Sequence, residues 1–363
     1  MNFTIPIFFS INENIFFNLF AFIHDVKVWN LEFSLTQLLC ELIDIEAMSH
    51  TNHKAYAKPS YIQFYPTLNC NYSCRFCFNR NLPALKDIDI DDFKSILLTL
   101  KHLGIDHIDM LGGEPSLHPD LLRLIDLIDH NGLKTTISTN GTNVNLLTAI
   151  SETYPKKTVR IGVSLNSEKV SHDLHTYIIT FKPILKSVYS KQRILPKSCK
   201  AYMGMPGIEY FLLYRDIVNK NDVKYSVPFY RFYHDILKLK KTIGNIDGVF
   251  CSGFIPDSIH YPELDFVRCP AGTTKLSLLP NGDMYPCYLF FQFSEFKLGN
   301  ILVDDFNAIW QHPILNYFRT FEKNNCPKTA CSVFHSCHGG CPALSYIFYN
   351  KFSGPDPRCV NQE

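Results

Sequence analysis

The sequence predicts an α/β fold: a partial, open (β/α)6 barrel followed by a cysteine-rich C-terminal domain. Three observations lead to this prediction. Short apolar strands alternate with amphipathic helices between about 61 and 227, a polar turn follows each of the first three strands, and seven cysteines lie between Cys269 and Cys359. Strand–helix alternation is typical of a parallel sheet with right-handed crossovers. About six such units suit an open barrel better than a closed eight-stranded one.

The first predicted helix has the clearest pattern. Apolar residues recur at helical spacing within 89–103, at Ile90, Phe93, Ile96, Leu97 and Leu100. By the same reasoning, further helices are predicted at 119–130, 145–152 and 208–220. Strands are predicted at 61–65, 105–111, 134–139, 159–165, 199–205 and 223–227.

The composition is that of a globular protein. Hydrophobic residues make up 46% of the 363 residues and the net charge is +1, so no basic excess points to nucleic acid. The apolar start, 1–30, is interrupted by polar residues such as Glu13 and lacks a basic segment and a small-residue cleavage site. It therefore predicts neither a signal peptide nor a membrane span. We expect a cytoplasmic protein with no membrane or nucleic-acid partner.

Domain boundaries follow from the changes in pattern. We assign 1–57 to an N-terminal extension, 58–250 to the barrel and 251–363 to the cysteine-rich domain. Within the extension, 34–43 has the pattern of a capped helix, with leucines on one face.

The chain has thirteen cysteines and no secretion signal, which favours metal ligands over disulfides. Cys70, Cys74 and Cys77 form a C-x3-C-x2-C pattern after the first strand. Tetrahedral zinc sites usually take four protein ligands, whereas three thiolates can hold three corners of a [4Fe–4S] cube and leave one iron open. Cys40 and Cys199 stand apart and are expected to be buried thiols.

Two further polar turns follow the second and third strands: "GGEP" at 112–115 and "TNGT" at 139–142. In parallel sheets, ligands bind beyond the carboxyl ends of the strands, so the three turns locate a site. The glycines allow close approach of the backbone. The carboxylate of Glu114 would suit an ammonium group bound at the open iron, and Phe76 would cover one side of the ligand.

The segment "CNYSCRFC" (70–77) followed by "GGEP" resembles the radical S-adenosylmethionine (SAM) superfamily. The resemblance implies a TIM-like partial barrel in which a [4Fe–4S] cluster on the three cysteines binds SAM. Phe76 would lie against the adenine, and Gly112, Gly113 and Glu114 would contact the methionine amino end. Reductive cleavage of SAM would yield a 5′-deoxyadenosyl radical that takes a hydrogen atom from the substrate. The electron would come from a low-potential donor such as flavodoxin or ferredoxin.

The segment "VSLNSEKVSHDLHT" (163–176) is similar to another stretch of that family. The resemblance implies that Ser164 contacts the SAM carboxylate. Thr176 stands where the family has an arginine that pairs with this carboxylate, and Asn166 and Ser167 replace an aspartate and a glycine. His172 or His175 could supply the missing cation, or both could be solvated histidines.

The C-terminal cysteines, with "PNGDMYPC" (280–287) and "CHGGC" (337–341), resemble the SPASM extension of radical SAM enzymes. The resemblance implies two auxiliary [4Fe–4S] clusters, and thus three clusters in all. The first would be held by Cys269, Cys287 and Cys341. The second would be held by Cys326, Cys331, Cys337 and Cys359. The fourth position of the first cluster is either Cys251 or an open iron, and four residues separate Cys326 from Cys331 where two are usual. A zinc site that includes His335 and His338 is the alternative.

SPASM enzymes mostly modify peptides, so the resemblance implies an enzyme that matures a ribosomally made precursor peptide. We expect it to cross-link side chains through a cyclophane, ether or thioether bond. The extension 1–57 would hold the leader peptide, with 3–11 as the edge strand, or it would only cap the barrel.

Three alternatives stay open. Formylglycine-forming sulfatase maturases use an aspartate directly after the cysteine that Cys287 matches, where this chain has Tyr288; Tyr285 and Tyr288 could act instead or only pack. A peptide epimerase would need a hydrogen-donating cysteine, for which Cys199 and Cys251 are candidates. A non-enzymatic electron carrier or sensor would usually ligate every iron, and a carboxylate beside an open iron argues against it.

Overall fold

The computed structural model describes residues 58–191, 195–249, 269–319, 326–331, 340–352 and 354–360. All of them belong to the second of two units of the chain, Lys54–Glu363. The proposed leader-binding extension 1–57, Cys251 and Cys337 lie outside the described residues.

A ten-stranded sheet forms the centre of the fold, in the order β10-β9-β8-β1-β2-β3-β4-β5-β6-β7. The strands are β1 (Tyr61–Phe64), β2 (His107–Met110), β3 (Lys134–Thr139), β4 (Val159–Ser164), β5 (Ile184–Tyr189), β6 (Tyr210–Tyr214), β7 (Ile246–Val249), β8 (Lys275–Leu278), β9 (Asp283–Tyr285) and β10 (Gly299–Asn300). Strands β1 to β7 pair in parallel and in chain order. The predicted α/β partial barrel is confirmed.

Helices connect the parallel strands and cover the sheet. They are α1 (Ile90–His102), α2 (Leu121–His130), α3 (Val144–Thr153), α4 (His172–Phe181), α5 (Phe229–Ile243), α6 (Phe306–Trp310), α7 (Leu315–Arg319), α8 (Pro342–Tyr349) and α9 (Pro357–Val360). Helix α1 begins after Asp89, whose side chain accepts hydrogen bonds from the amides of Asp91 and Asp92. Its apolar stripe is buried as predicted, and all four residues of β1 are buried because both faces of the sheet are covered.

The predictions for the second half of the barrel were partly wrong. The predicted strand at 199–205 is a short 3-10 helix, Lys197–Ala201, and the one at 223–227 overlaps a second, Lys220–Tyr225. Conversely, the predicted helix at 208–220 contains strand β6. A short continuous apolar run such as 210–214 fits a buried strand and a buried helix equally well, so its periodicity does not decide between them.

The cysteine-rich segment contributes three strands to the same sheet. Strand β8 pairs in parallel with β1 on the side opposite β2, and β9 and β10 follow in antiparallel order. Aromatic contacts join this segment to the loop after β1. The ring of Tyr65 lies 4.9 Å from that of Phe291, and the ring of Phe78 lies 4.7 Å from that of Tyr288. The loop with the first three cysteines is therefore packed directly against the residues that follow Cys287.

Candidate active site

The three cysteines of the first motif lie on one loop after β1. Cys70 is exposed and Cys74 and Cys77 are half-buried; all three are free thiols. Burial raises the pKa of Cys74 and of Cys77, and the neighbouring motif thiols raise both pKa values further. Bound iron would hold these sulfurs as thiolates and so offset both effects on the pKa values. The loop therefore fits a shared metal centre.

The glycines of "GGEP" bring this turn against the cysteine loop. The amide of Gly113 donates to the carbonyl of Thr67 at 2.9 Å, and the amide of Glu114 donates to the carbonyl of Asn69 at 2.8 Å. A Cβ atom at Gly112 or Gly113 would overlap these same carbonyl oxygens. Only glycine permits so close an approach. The two motifs that the sequence places on separate turns form one hydrogen-bonded unit.

The Glu114 carboxylate is bound within the protein. It is 1% exposed and accepts hydrogen bonds from the hydroxyl of Thr139 at 2.7 Å, the amide of Asn140 at 2.6 Å and the amide of Ser116 at 3.1 Å. A carboxylate has about four acceptor positions, so one remains for a ligand. The contacts seen here make Glu114 first of all the link between "GGEP" and "TNGT".

A cavity of about 160 Å³ lies over the carboxyl ends of the strands; we call it the main cavity. Its walls come from the cysteine loop and from strands β3 to β6. The lining residues include Phe76, Cys77, Ser138, Ser164, Asn166, Lys186, Ser187, Arg215 and Asp216. The structure thus places the predicted SAM contacts Phe76 and Ser164 at one cavity with a cluster cysteine.

Lys186 lies beside Ser164 on the inner face of the barrel. The two residues are register partners on neighbouring parallel strands, so their side chains share a face. The Lys186 ammonium leans across β4 and donates to the hydroxyl of Ser138 at 2.7 Å. Gly162 makes this path available, because a Cβ there would lie 2.7 Å from Cε of Lys186. Burial lowers the pKa of Lys186, and the Asp109 carboxylate raises it.

The histidines considered as replacements for the missing arginine are placed elsewhere. Nδ1 of His175 lies 2.9 Å from the hydroxyl of Tyr202, and the hydroxyl of Thr176 donates to the carbonyl of His172 within α4. Neither His172 nor His175 is among the described residues that line the main cavity. Lys186 is the cation beside Ser164, and it lies in no motif that would single it out.

A second cavity brings together the three cysteines assigned to the first auxiliary cluster. Cys269, Cys287 and Cys341 line it with Arg358 and Asp216; we call it the cysteine cavity. Burial raises the pKa of Cys341 to about 12, with a lowering effect from the Arg358 guanidinium and a raising effect from Cys269. Arg358 is 1% exposed and pairs with Asp356 through two hydrogen bonds of 2.9 and 2.7 Å. Three sulfurs beside a buried cation suit an anionic iron–sulfur cluster.

The remaining described cysteines come together through Lys328. Its ammonium donates to the carbonyl of Cys359 at 2.8 Å, and its own carbonyl accepts from the amide of Cys331 at 3.1 Å. The sulfur of Cys359 also accepts from the amide of Phe229 at 3.2 Å. The segment from Cys326 to Cys331 is thereby held next to Cys359, as a shared cluster requires.

Asp216 borders both cavities. Its Oδ2 accepts a hydrogen bond from the hydroxyl of Tyr288, and its Oδ1 lies 3.9 Å from Nη1 of Arg358. Sequence reasoning missed Asp216 because it follows β6, which was predicted as helix.

No helix among the described residues is long and apolar enough to cross a membrane. Nor do the residues that the structure describes include three or more His, Cys, Asp or Glu side chains gathered as around a single metal ion.

Family models match both halves of this architecture. Residues 64–210 match the Radical SAM superfamily, and residues 269–339 match SPASM, an iron-sulfur cluster-binding domain. The chain is a radical SAM enzyme with a SPASM domain. The non-enzymatic alternative is therefore set aside.

Curated radical SAM relatives span most of the chain. The chain is 25% identical over 337 residues to the antilisterial bacteriocin subtilosin biosynthesis protein AlbA of Bacillus subtilis. This match covers 82% of the chain and 70% of AlbA. The chain is 22% identical over 333 residues to the mycofactocin maturase MftC of Mycobacterium tuberculosis, with 81% of each chain covered.

Solved radical SAM structures share the fold. Streptococcus suis SuiB bound to S-adenosylmethionine superposes with a TM-score of 0.65 at 19% identity, covering 96% of this chain and 87% of SuiB. SuiB bound to its precursor peptide SuiA gives a TM-score of 0.63 at 20% identity, covering 96% and 88%.

The radical SAM and SPASM domains identify SAM and [4Fe–4S] clusters as the cofactors. The donor sets fit them: three free thiols lie on the loop beside the main cavity, and three more cysteines line the cysteine cavity. The alternative zinc site falls on His335, Cys337 and His338, which lie outside the described residues. The lining of the main cavity reaches from Phe76 on the cysteine loop to Asp216 after β6.

Proposed function

We propose that this enzyme matures a ribosomally synthesised peptide by cross-linking side chains, through a cyclophane, ether or thioether bond. The observation that carries the proposal is the meeting of the two cavities at Asp216. A cross-link removes two hydrogen atoms from the peptide: one leaves as an atom, the other as a proton and an electron. A substrate held in the main cavity would lie beside the Asp216 carboxylate, which could take the proton. The cysteine cavity lies on the other side of Asp216, and a cluster held there could take the electron.

In this proposal Cys70, Cys74 and Cys77 hold the cluster that binds SAM. When bound and reduced, this cofactor pair supplies the 5′-deoxyadenosyl radical that takes the hydrogen atom. Phe76 covers the adenine, and the backbone of Gly112 and Gly113 receives the methionine amino end. Glu114 keeps that backbone in place through its bonds to the third turn.

Ser164 and Lys186 bind the SAM carboxylate. Their side-by-side register on β4 and β5 supplies a hydroxyl and a cation at one point, which makes a charge-assisted contact. This pair takes over from the arginine that Thr176 replaces. Desolvation of the ammonium is offset when a carboxylate arrives.

The SPASM domain holds two auxiliary clusters, the first on Cys269, Cys287 and Cys341 and the second on Cys326, Cys331, Cys337 and Cys359. A flavodoxin or ferredoxin is the electron donor. The relatives support a peptide substrate: AlbA is a bacteriocin biosynthesis protein, MftC is a maturase, and SuiB was solved with a precursor peptide.

Two contacts favour cross-linking over the alternatives. Cys199 is 0% exposed and accepts a hydrogen bond from the hydroxyl of Tyr210 at 2.6 Å; it is not among the described residues lining the main cavity. It is therefore badly placed to return a hydrogen atom to an epimerised residue. Tyr285 packs its ring on Phe291 at 5.3 Å, and Tyr288 packs its ring on Phe78 at 4.7 Å. These contacts suit packing roles better than that of a general base.

Mass spectrometry of a candidate precursor peptide after anaerobic reaction with the reconstituted enzyme tests the proposal. Cross-linking predicts the loss of two hydrogen atoms and a fragmentation gap between the joined residues. An unchanged mass in water with uptake of one deuterium in heavy water would indicate epimerisation. Replacement of sulfur by oxygen with loss of two hydrogens at a cysteine, or loss of two hydrogens at a lone serine, would indicate formylglycine. Either result would overturn cross-linking.

A further inference from the structure

Arg215 is a buried cation among the residues that line the main cavity, and two of its donor atoms have no acceptor among the described residues. Its side chain is 6% exposed. Its Nε and Nη2 atoms are fully enclosed, and neither makes a hydrogen bond to any described residue. A guanidinium stays charged at physiological pH, so it cannot escape the cost of burial by losing its proton.

The direction of the side chain follows from the strand. The ring of Tyr214 lies 4.8 Å from that of Phe232 on α5, and its hydroxyl donates to the carbonyl of Val227. Successive side chains alternate across a strand, so Leu213 and Arg215 lie on the opposite side from Tyr214, towards the barrel interior. Leu213, Tyr214 and Arg215 are all among the residues that line the main cavity.

The neighbours of Arg215 compensate its charge without satisfying its donors. Nη2 lies 4.0 Å from Oδ2 of Asp222, beyond hydrogen-bond distance, and that oxygen already accepts from the side-chain amide of Asn219 at 3.1 Å. The ring of Tyr225 lies 5.0 Å from the guanidinium carbon. A ring covers a face of the guanidinium, whereas the N–H groups project in its plane. Nε and Nη2 of Arg215 therefore have no acceptor in the plane of the guanidinium among the described residues.

The other charges at the cavity favour an anion there. Lys186 is a second cation among the described lining residues, and Asp216 is the acid. The Asp216 carboxylate is already engaged by Tyr288 and lies near Arg358. Lys186 on β5 lies beside Ser164, so it can pair with the carboxylate of SAM. Arg215, which follows the neighbouring strand β6, is then available to bind the anionic group of another molecule.

We propose that Arg215 binds a carboxylate of the peptide substrate, an aspartate or glutamate side chain or the C-terminal carboxylate, next to the residue that is modified. This inference rests on the proposed peptide substrate. A planar, two-donor guanidinium matches the two oxygens of a carboxylate, which fixes the orientation of the group as well as its charge. The substrate class is thus a peptide with an acid within a few residues of the reacting side chain.

Two pools of synthetic octapeptides test the inference. Each octapeptide contains one aromatic residue and has an amidated C-terminus. The acidic pool carries Asp and Glu, and the amide pool carries Asn and Gln at the same positions. Binding to the reconstituted, SAM-loaded enzyme is measured by affinity capture and mass spectrometry, without reduction and therefore without turnover. We expect the acidic pool to bind about tenfold more tightly, the size of one charge-assisted hydrogen bond. A third pool with amides inside and free C-termini reports on the terminal carboxylate.

The variants are Arg215→Gln, Arg215→Lys and the control Arg123→Gln. Arg123 is an exposed guanidinium paired with Asp120 on α2, so its loss should leave the preference for acid intact. Arg215→Gln should abolish the preference, and Arg215→Lys should retain part of it. Iron content and SAM affinity, measured on each variant, show whether the fold and the cofactor site are intact.

Three outcomes would overturn the inference. If Arg215→Gln weakens SAM binding and keeps the acid preference, the guanidinium serves the cofactor. If it changes neither, with iron content intact, Arg215 is a structural partner of Asp222 and Tyr225. If the wild-type enzyme binds all three pools equally, the proposed peptide function stands and only the proposed carboxylate site is wrong. A wild-type enzyme that cleaves SAM but binds no pool removes the proposed peptide function itself.

Discussion

The hydroxyl of Tyr288 donates a hydrogen bond to the carboxylate of Asp216, and this contact joins the loop after Cys287 to the end of β6. Because Asp216 borders both the main cavity and the cysteine cavity, the contact fixes the boundary between them. The tyrosine that follows Cys287 thus positions an aspartate from another strand.

Tyr288→Phe should uncouple SAM cleavage from peptide modification. The substitution removes one hydrogen bond to Asp216 and keeps the ring that packs on Phe78. A hydrogen bond to a charged group contributes about 1.5–3 kcal/mol, so we expect product per deoxyadenosine to fall by roughly tenfold or more. The measurement is the ratio of modified peptide to 5′-deoxyadenosine. Tyr285→Phe, two residues before Cys287, is the matched control, and an equal effect of both variants would contradict the role of Tyr288.

Replacing Cys70, Cys74 and Cys77 together by alanine should remove one cluster and leave the auxiliary sites. We expect about twelve irons per chain in the intact enzyme and about eight in the variant, at ~4 irons per cubane. The release of 5′-deoxyadenosine after dithionite reduction should disappear. Iron and sulfide assays under anaerobic conditions provide the counts. Retention of all iron in the variant would mean that this loop is not a cluster site.

Lys186→Met should weaken the binding of SAM by about ten- to a hundredfold, because it removes a buried charge-assisted contact worth about 1.5–3 kcal/mol. Calorimetry on the oxidised, reconstituted enzyme measures this without turnover. Lys186→Arg should retain part of the affinity. Lys94→Met, at an exposed lysine paired with Asp91, should have no effect. Unchanged affinity for SAM in Lys186→Met would mean that a residue other than Lys186 binds the SAM carboxylate.

Glu114→Gln should destabilise the fold around the site. The amide group of glutamine would face a donor, since both carboxylate oxygens accept from Thr139, Asn140 or Ser116. Leaving one buried donor unpaired costs about 1–3 kcal/mol. The midpoint of thermal unfolding should fall, also in the absence of SAM. Glu152→Gln, at an exposed position of α3, is the control. A loss of SAM binding with unchanged unfolding would instead point to a direct contact with the cofactor.

The first half of the fold was readable because its signals are local. Helix α1 has a regular apolar stripe and a capping aspartate, and strand β3 was predicted with its observed bounds. The cysteine, "GGEP" and "TNGT" turns follow their strands directly, so the edge of a parallel sheet brings them together. From Cys199 onward, apolar runs without a clear period were assigned to the wrong elements.

The residues that sequence reasoning missed act through contacts between distant segments. Lys186 lies in no motif, and its importance depends on Gly162 and Ser138 on two other strands. Asp216 and Tyr288 are 72 residues apart. Such pairs leave no trace in spacing or periodicity. Glu114 has such contacts too: its carboxylate links two turns through three donors that no motif predicts, and its contact with SAM stays a prediction.

Because β8 pairs with β1, the central sheet can be completed only late in the synthesis of the chain. Strand β1 leaves the ribosome early, but the strand that covers its outer edge is among the last to be made. Until 275–278 have been translated, the nascent chain carries an open strand edge, a template for wrong pairing between chains, directly before the oxygen-sensitive cluster loop. Iron–sulfur assembly on this loop should therefore follow release of the whole polypeptide, and a truncation before β8 should aggregate rather than accumulate as a one-cluster barrel.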